Sequence, residues 1–167
     1  TAMPVPQAFH IRCADYSNAS DAAAIIRLMQ AYAQDPMGGG RPLSEATVNN
    51  LVPSLSRIPG ALTLLAFDAE EAIALVTCFE GFSTFKCEPL LNIHDVIVQQ
   101  SYRGKGLVGE MLQQVERIAR ERGCCKLTLE VLEGNRVARR AYEKAGFTDY
   151  RLLPETGRAI FQHKLIG

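Results

Sequence analysis

The chain has 167 residues, of which 47% are hydrophobic and 22% are charged, and its 18 basic residues balance its 18 acidic ones. A chain of this size buries about two-thirds of its unfolded surface, so we expect one domain over residues 1–167. Zero net charge argues against general binding to nucleic acid or to a membrane surface. No apolar run reaches the ~20 residues that span a bilayer, and no basic segment with an apolar core marks a secretory signal.

The cysteines show no pattern typical of a metal site or of a disulfide framework. Their number is odd and two are adjacent: Cys13, Cys78, Cys87, Cys124 and Cys125. We therefore expect reduced thiols, no bound metal and a cytoplasmic location.

The first half of the chain predicts a short strand, two helices and a β-hairpin, at Phe9–Ala14, Asp21–Gln34, Ser44–Ser56, and Ala61–Phe67 with Ala72–Phe79. Asn18 or Ser20 caps the first helix. Three glycines and two prolines break the chain between the helices. Pro53 weakens the second helix because proline lacks a backbone N–H.

The second half predicts strand, helix, strand, helix and two final strands. The strands are Leu90–Val98, Lys126–Val131, Thr148–Leu152 and Ala159–Leu165. One helix has an apolar stripe that begins at Leu107, and this helix ends at Gly123. The other helix runs from an Asn135 cap to Ala145. This order predicts an α/β protein with one mixed sheet and helices on both faces.

The loop before the stripe helix contains Arg103, Gly104, Lys105 and Gly106 in a row. Glycines at a helix start expose backbone amides and form a ready anion site. Ordinary turn chemistry also explains them. The run Gly104–Gly109 matches the dinucleotide pattern G-x-G-x-x-G as well, with an acidic residue about 20 residues later. Against a dinucleotide fold, the first glycine lies too far from the strand end, and a hairpin precedes the loop.

The same loop, VQQSYRGKG, resembles the coenzyme-binding motif of the GNAT N-acetyltransferases. The resemblance implies an acetyl-CoA cosubstrate whose pyrophosphate contacts Arg103, Gly104, Lys105, Gly106, Leu107, Val108 and Gly109. Val108 departs from the family, which prefers glycine or alanine there, so we expect it to crowd the diphosphate.

A second motif, NRVARRAYEKAGF at Asn135–Phe147, is similar to the family pattern N-x-x-A-x-x-x-Y-x-x-x-G-F at every named place. Two motifs separated by one strand are more specific than either alone. Together they imply a GNAT-like acyltransferase fold, with a central, mostly antiparallel, splayed sheet. They also imply direct attack of an amine on acetyl-CoA in a ternary complex, with no metal and no covalent enzyme intermediate.

The resemblance assigns Tyr142 to the departing thiolate, since a phenol can protonate a leaving thiolate at modest cost. The alternative is a packing role, because alanines and a valine share its helix face. Asn135 is an ordinary N-cap and can also lie near the pantetheine. Arg139, with Arg136 and Arg140, can approach the 3′-phosphate, although a solvated helix face also explains them.

In the family, the strand before the loop splays from its neighbour and pairs with the pantetheine arm through its backbone, which here implies Val96, Ile97 and Val98. The base that deprotonates the incoming ammonium is assigned to His94 or Asp95, where relatives often have Glu-Asp. Histidine titrates near neutrality, while Asp95 can bind the ammonium or hold a water. Each alone is also explained as a polar residue at an opening in the sheet.

Two other functions remain open: a catalytically silent CoA-binding sensor, and a nicotinamide oxidoreductase that uses the glycine loop. The acceptor is expected to be a small-molecule or peptide amine that the sequence does not identify. Phe79, Phe82 and Phe85 suggest either an apolar wall for it, a core contact or a homodimer contact.

Overall fold

The computed structural model describes residues 8–167 of the chain. Its elements are β1 His10–Cys13, α1 Ala19–Gln34, α2 Glu45–Leu55, β2 Leu62–Asp68, β3 Glu71–Ser83, β4 Glu88–Val98, α3 Leu107–Glu121, β5 Leu127–Leu129 and α4 Arg136–Lys144. The nine elements predicted before residue 147 are therefore all present, in the predicted order.

The two strands predicted at Thr148–Leu152 and Ala159–Leu165 are wrong. This segment contains one turn of 3₁₀ helix at Pro154–Thr156 and one isolated bridge between Arg151 and Arg158. A strand needs a partner for its backbone and a buried face for its side chains. The final segment has one bridging pair and no buried face, since its apolar side chains are exposed.

The sheet has the strand order β1-β2-β3-β4-β5. Strands β1 to β4 are antiparallel neighbours, and β5 pairs with β4 in parallel. The prediction of a mixed, mostly antiparallel sheet is confirmed. Pairing between β4 and β5 covers only three positions, from Leu91 opposite Leu127 to Ile93 opposite Leu129. Strand β4 continues five residues beyond this pairing.

Helices cover both faces of the sheet. Leu64, Leu65 and Ala66 are consecutive on β2, and all three are buried; because strand side chains alternate between faces, both faces must be covered. One face packs on α1 and α2 through a cluster formed by Ile25, Leu28, Val52, Leu65, Ala72, Leu75 and Ile97. On the opposite face, α3 connects β4 to the parallel β5 and buries Leu107, Met111, Leu112, Val115 and Ala119.

The start of α1 is tied to the first strand by a buried carboxylate. Asn18 accepts a hydrogen bond from the Asp21 backbone N–H at 2.9 Å, as a helix cap does. The guanidinium of Arg12 donates two hydrogen bonds of 2.8 Å to the Asp21 carboxylate. These bonds hold the pKa of Asp21 below its usual value, so the cap and the ion pair together fix α1 against β1.

The described chain divides into two compact units, residues 8–129 and Glu130–Gly167. The first contains the sheet with α1, α2 and α3. The second contains α4, which has no buried residue, and Arg158, which forms ion pairs with Glu133 at 3.5 Å and Asp149 at 3.3 Å. A single domain over the whole chain stays a prediction.

Candidate active site

The loop between β4 and α3 exposes its backbone at two glycines. Gly104 has φ +76° and Gly106 has φ +78°, the left-handed region that favours glycine. Among residues 8–167, a Cβ on either glycine would meet no heavy atom of a non-adjacent residue within 4 Å. Gly106 is the N-cap of α3 and provides no side-chain cap. The first-turn amides of α3 therefore point into open space beside a bare backbone, as an anion site requires.

Two contacts of Tyr102 hold this loop in place. The Tyr102 hydroxyl donates a hydrogen bond of 2.6 Å to the Asp68 carboxylate at the end of β2. The ammonium of Lys105 lies 5.1 Å from the centre of the Tyr102 ring, within the range of a cation–π contact. Tyr102 thus links the cationic part of the loop to the β2–β3 hairpin.

Arg103 contacts a backbone carbonyl and a carboxylate of this chain. Its Nε donates to the Val98 carbonyl at 3.0 Å, and its Nη2 lies 3.5 Å from the carboxylate of Asp35. Asp35 in turn begins the glycine-rich loop between α1 and α2, where it accepts from the Met37 N–H. Arg103 therefore joins the end of β4 to that loop, a link that the sequence did not indicate.

The last residues of β4 present backbone groups at an edge that β5 does not cover. The Gln99 N–H donates to the Ile73 carbonyl of β3 at 2.8 Å. Because successive residues of a strand direct their backbone groups to opposite edges, those of Ile97 also face β3, while those of Val96 and Val98 face the other edge. Of the three predicted residues, Val96 has both backbone groups at this edge, Val98 has its N–H there while its carbonyl accepts from Arg103, and Ile97 is part of the core.

A β-bulge separates this part of β4 from the part that pairs with β5. Cys78 lies opposite Ile93, but Thr77 lies opposite Asp95, so His94 is the extra residue. His94 is exposed, and its ring stands edge-on to Phe79 with the ring centres 5.2 Å apart. The bulge places Asp95 on the sheet face that packs on α1 and α2, the face that also carries Leu75 and Ile97.

Asp95 is a half-buried carboxylate. Burial raises its pKa, and the neighbouring charge of His94 opposes that rise. Within residues 8–167 it makes no hydrogen bond. A raised pKa and an uncommitted carboxylate suit a group that binds or deprotonates an amine.

The second unit carries the other predicted residues. Asn135 accepts a hydrogen bond from the Ala138 N–H at 3.2 Å, so its predicted capping role is confirmed. Tyr142 is half-buried on α4, and its ring meets Phe147 edge-to-face with the centres 6.1 Å apart. Gly146 has φ +93°, which turns the chain so that Phe147 returns to Tyr142. The spacing of the motif thus orients a tyrosine. Arg139 is half-buried on the same helix.

Residues 8–167 contain no group of three or more His, Cys, Asp or Glu side chains placed to hold a metal ion. None of their helices combines the length and the apolar character that crossing a bilayer requires.

Comparison with known proteins agrees with both motifs and with the sheet. The chain belongs to the acetyltransferase (GNAT) family, whose sequence pattern it matches over residues 25–147. This range includes most of α1 and the whole of α2, β2 to β5, α3 and α4, so the family assignment rests on most of the chain.

Individual relatives share part of its length. The chain is 28% identical over 111 residues to aminoglycoside N(6')-acetyltransferase type 1 of Acinetobacter genomosp. 13, covering 64% of this chain and 72% of that one. It is 32% identical over 69 residues to thialysine N-epsilon-acetyltransferase of Bos taurus, covering 41% and 40%. The structure of a possible acetyltransferase from Clostridium difficile 630 superimposes with a TM-score of 0.76, covering 95% and 99% at 17% identity. That likeness shows the fold alone.

Proposed function

We propose that the protein transfers an acetyl group from acetyl-CoA to a primary amine by direct attack within a ternary complex. The observation that carries this proposal is the juxtaposition of two backbone features in the first unit. An uncapped helix start with two bare glycines follows a strand whose outer edge, within residues 8–167, has no strand partner at Val96 and Val98. Family membership supports the same assignment.

The residues present fit the coenzyme. The amides of Gly104, Gly106 and the first turn of α3, at Leu107, Val108 and Gly109, would bind the diphosphate. Lys105 and Arg103 add positive charge next to them. The outward backbone groups of Val96 and the outward N–H of Val98 would pair with the amides of the pantetheine arm, as an added strand does, while the Val98 carbonyl accepts from Arg103. Bound there, acetyl-CoA supplies the thioester carbon that the amine attacks.

On the amine side, we assign Asp95 to binding the incoming ammonium and His94 or Asp95 to accepting its proton. Asp95 is supported by its half-burial, its raised pKa and its lack of a hydrogen bond within residues 8–167. His94 is supported by its exposure on the bulge, directly next to Asp95. Both lie on the same strand as Val96, which would bind the coenzyme.

Tyr142 is assigned to protonating the departing thiolate, and Asn135 and Arg139 to contacts with the coenzyme. The support for Tyr142 is its orientation by Phe147 on a helix that has no buried residue. On such a helix, core packing does not by itself require a tyrosine.

Cys78 is the fully buried cysteine on β3. Burial raises the pKa of this thiol to about 12, so it stays protonated near neutral pH. A protonated thiol is a poor nucleophile, and Cys78 is therefore unsuited to carry the acetyl group as a covalent intermediate.

The test is a panel of amines assayed for release of free CoA from acetyl-CoA. Relatives that act on aminoglycosides and on thialysine motivate kanamycin and thialysine as members, beside a peptide with a free N-terminus. We expect CoA release that depends on one class of amine. Tight acetyl-CoA binding without release for any amine would favour a CoA sensor, and binding of NADH instead of acetyl-CoA would favour an oxidoreductase.

A further inference from the structure

A row of polar side chains crosses the sheet beside the core. Thr63 on β2 lies opposite Thr77 on β3, which lies opposite Asp95 on β4. The two threonines are 1% and 3% exposed. Their hydroxyl oxygens are 2.9 Å apart, and the Tyr16 hydroxyl lies 2.9 Å from that of Thr63. Tyr16, Thr63 and Thr77 therefore form a continuous chain of hydroxyls that ends opposite a carboxylate.

The next row along the same strands is entirely apolar. It consists of Leu65, Leu75 and Ile97, all buried in the cluster under α1 and α2. Valine would fill the threonine positions at nearly the same size, and burying a hydroxyl costs free energy unless it is hydrogen-bonded. Packing alone thus does not explain two buried threonines in this row.

Counting hydrogens leaves one for a partner outside the chain. Three hydroxyls supply three hydrogens, and the two contacts among them use two. Either oxygen of each contact can be the donor, and when both contacts donate toward Thr77 the third hydrogen points out of the chain at the Thr77 end. At the Thr77 end the cross-strand neighbour is Asp95, and directly opposite residues have Cβ atoms about 4.5–5.5 Å apart. A side-chain rotation, or one bridging water, spans the remaining distance between hydroxyl and carboxylate.

We propose that Thr77 is a positioning residue for Asp95, whose carboxylate receives the hydrogen that Tyr16 and Thr63 direct along the hydroxyl chain. This inference rests on the proposed function, because it concerns the residue assigned to the incoming amine. The hydroxyl chain stabilises the ionised carboxylate and keeps it oriented. It provides what the half-buried Asp95 needs in order to attract an ammonium group near neutral pH.

Few other titratable groups act on this chain. Asp95 interacts electrostatically with His94 on its own strand and with Cys78 on β3. Burial raises the pKa of the Cys78 thiol to about 12, against the opposing charge of Arg122, so this thiol is neutral. At the other end, Tyr16 faces Cys78 and Cys13. Besides burial, the pKa of Asp95 therefore responds to the charge of His94 and to the hydrogen bond that we propose from Thr77.

The decisive measurement is the pKa of the Asp95 carboxyl, followed by carbon NMR in the protein without substrates. A hydrogen bond donated to a carboxylate favours the charged form, so its removal raises the pKa. We expect Thr77→Val to raise it by about one pH unit. Thr63→Val, which removes the next hydroxyl, should raise the pKa of Asp95 by less. It provides the test if Thr77→Val fails to fold.

Two control variants separate this role from packing. Thr77→Ser loses a methyl group but keeps the hydroxyl, and Leu75→Val disturbs the apolar row on the same strand. Both should leave the pKa of Asp95 at its wild-type value. A pKa unchanged in both threonine-to-valine variants, or raised equally in Leu75→Val, would overturn the proposal.

The kinetic counterpart distinguishes this inference from the proposed function. With the panel amine that is acetylated, Thr77→Val should move the acid limb of kcat/KM to higher pH by the same interval, because Asp95 must be ionised to bind the ammonium or to accept its proton. If Thr77→Val acetylates the amine with the acid limb at its wild-type pH, the role of Thr77 is contradicted and the acetyl transfer is not. If no amine is acetylated but Thr77→Val raises the pKa of Asp95 in the NMR titration, the acetyl transfer is contradicted and the role of the hydroxyl chain is not.

Discussion

Helices α3 and α4 each carry one of the two sequence motifs, but they are stabilised in different ways. Five residues of α3 are buried, including Met111 at 0% exposure. None of α4 is buried, and Val137 on its apolar face is 71% exposed. In α3, packing explains the apolar stripe, and the motif lies in the glycines before it. In α4, core packing does not account for the choice of residues. We therefore attribute the presence of Tyr142 and its partner Phe147 to function.

The largest effect should appear in stability. Met111→Ala removes a fully buried side chain and should lower the free energy of unfolding by about 2–5 kcal/mol. Val137→Ala should change it by less than about 0.5 kcal/mol because the side chain is exposed. Urea denaturation of the two variants measures both. Equal losses would mean that α4 packs as firmly as α3.

Next in size is the effect of Tyr142→Phe on catalysis. Loss of a group that transfers a proton to the leaving thiolate should lower kcat about 100-fold, with the dissociation constant of acetyl-CoA unchanged. Tyr150→Phe, in the same unit and more exposed, is the control and should keep wild-type turnover. If Tyr142→Phe turns over normally with the true acceptor, the tyrosine has a packing role.

A smaller effect should come from Gly106→Ala, paired with Gly123→Ala at the other end of α3. Both glycines have positive φ and open space around the Cβ position, so alanine should cost each about 1–2 kcal/mol of stability. Only Gly106→Ala should also weaken acetyl-CoA binding, by about tenfold, which is about 1.4 kcal/mol. Calorimetric titration gives both constants. Similar affinities for acetyl-CoA in the two variants would mean that the glycines of the loop serve only to form the turn.

The smallest expected effect is at Val108, where the loop departs from its family. Val108→Ala should relieve crowding at the diphosphate and tighten acetyl-CoA binding by about threefold, well under the 1.4 kcal/mol of a tenfold change. Val108→Ile should weaken binding instead. The same titration tests both, and an opposite order of the two affinities would show that Val108 contributes favourable contacts.

The features predicted correctly from the sequence are those encoded within one segment. Asn18 and Gly123 mark helix ends, and the apolar stripe of α3 repeats at helical spacing. The strands of the hairpin are close in the sequence, so their pairing is local. Both motifs were visible for the same reason, since each is a short run with fixed spacing.

The features missed depend on residues far apart in the chain. Arg103 and Asp35 are 68 residues apart, and no local pattern links them. The bulge at His94 arises from the register between β3 and β4. The strand predicted at Ala159–Leu165 has a β-like composition, but a composition does not supply a partner strand. The row from Thr63 to Asp95 likewise appears only when three strands are placed side by side.

The central claim is that the start of α3 and the end of β4 bind acetyl-CoA through their backbone. Amide chemical shifts in a nitrogen–proton NMR titration test it most directly. Added acetyl-CoA should shift the amides of Gly104, Gly106, Val108, Val96 and Val98 most strongly, and NADH should leave them unmoved. Shifts at these amides caused by NADH and not by acetyl-CoA would contradict the account.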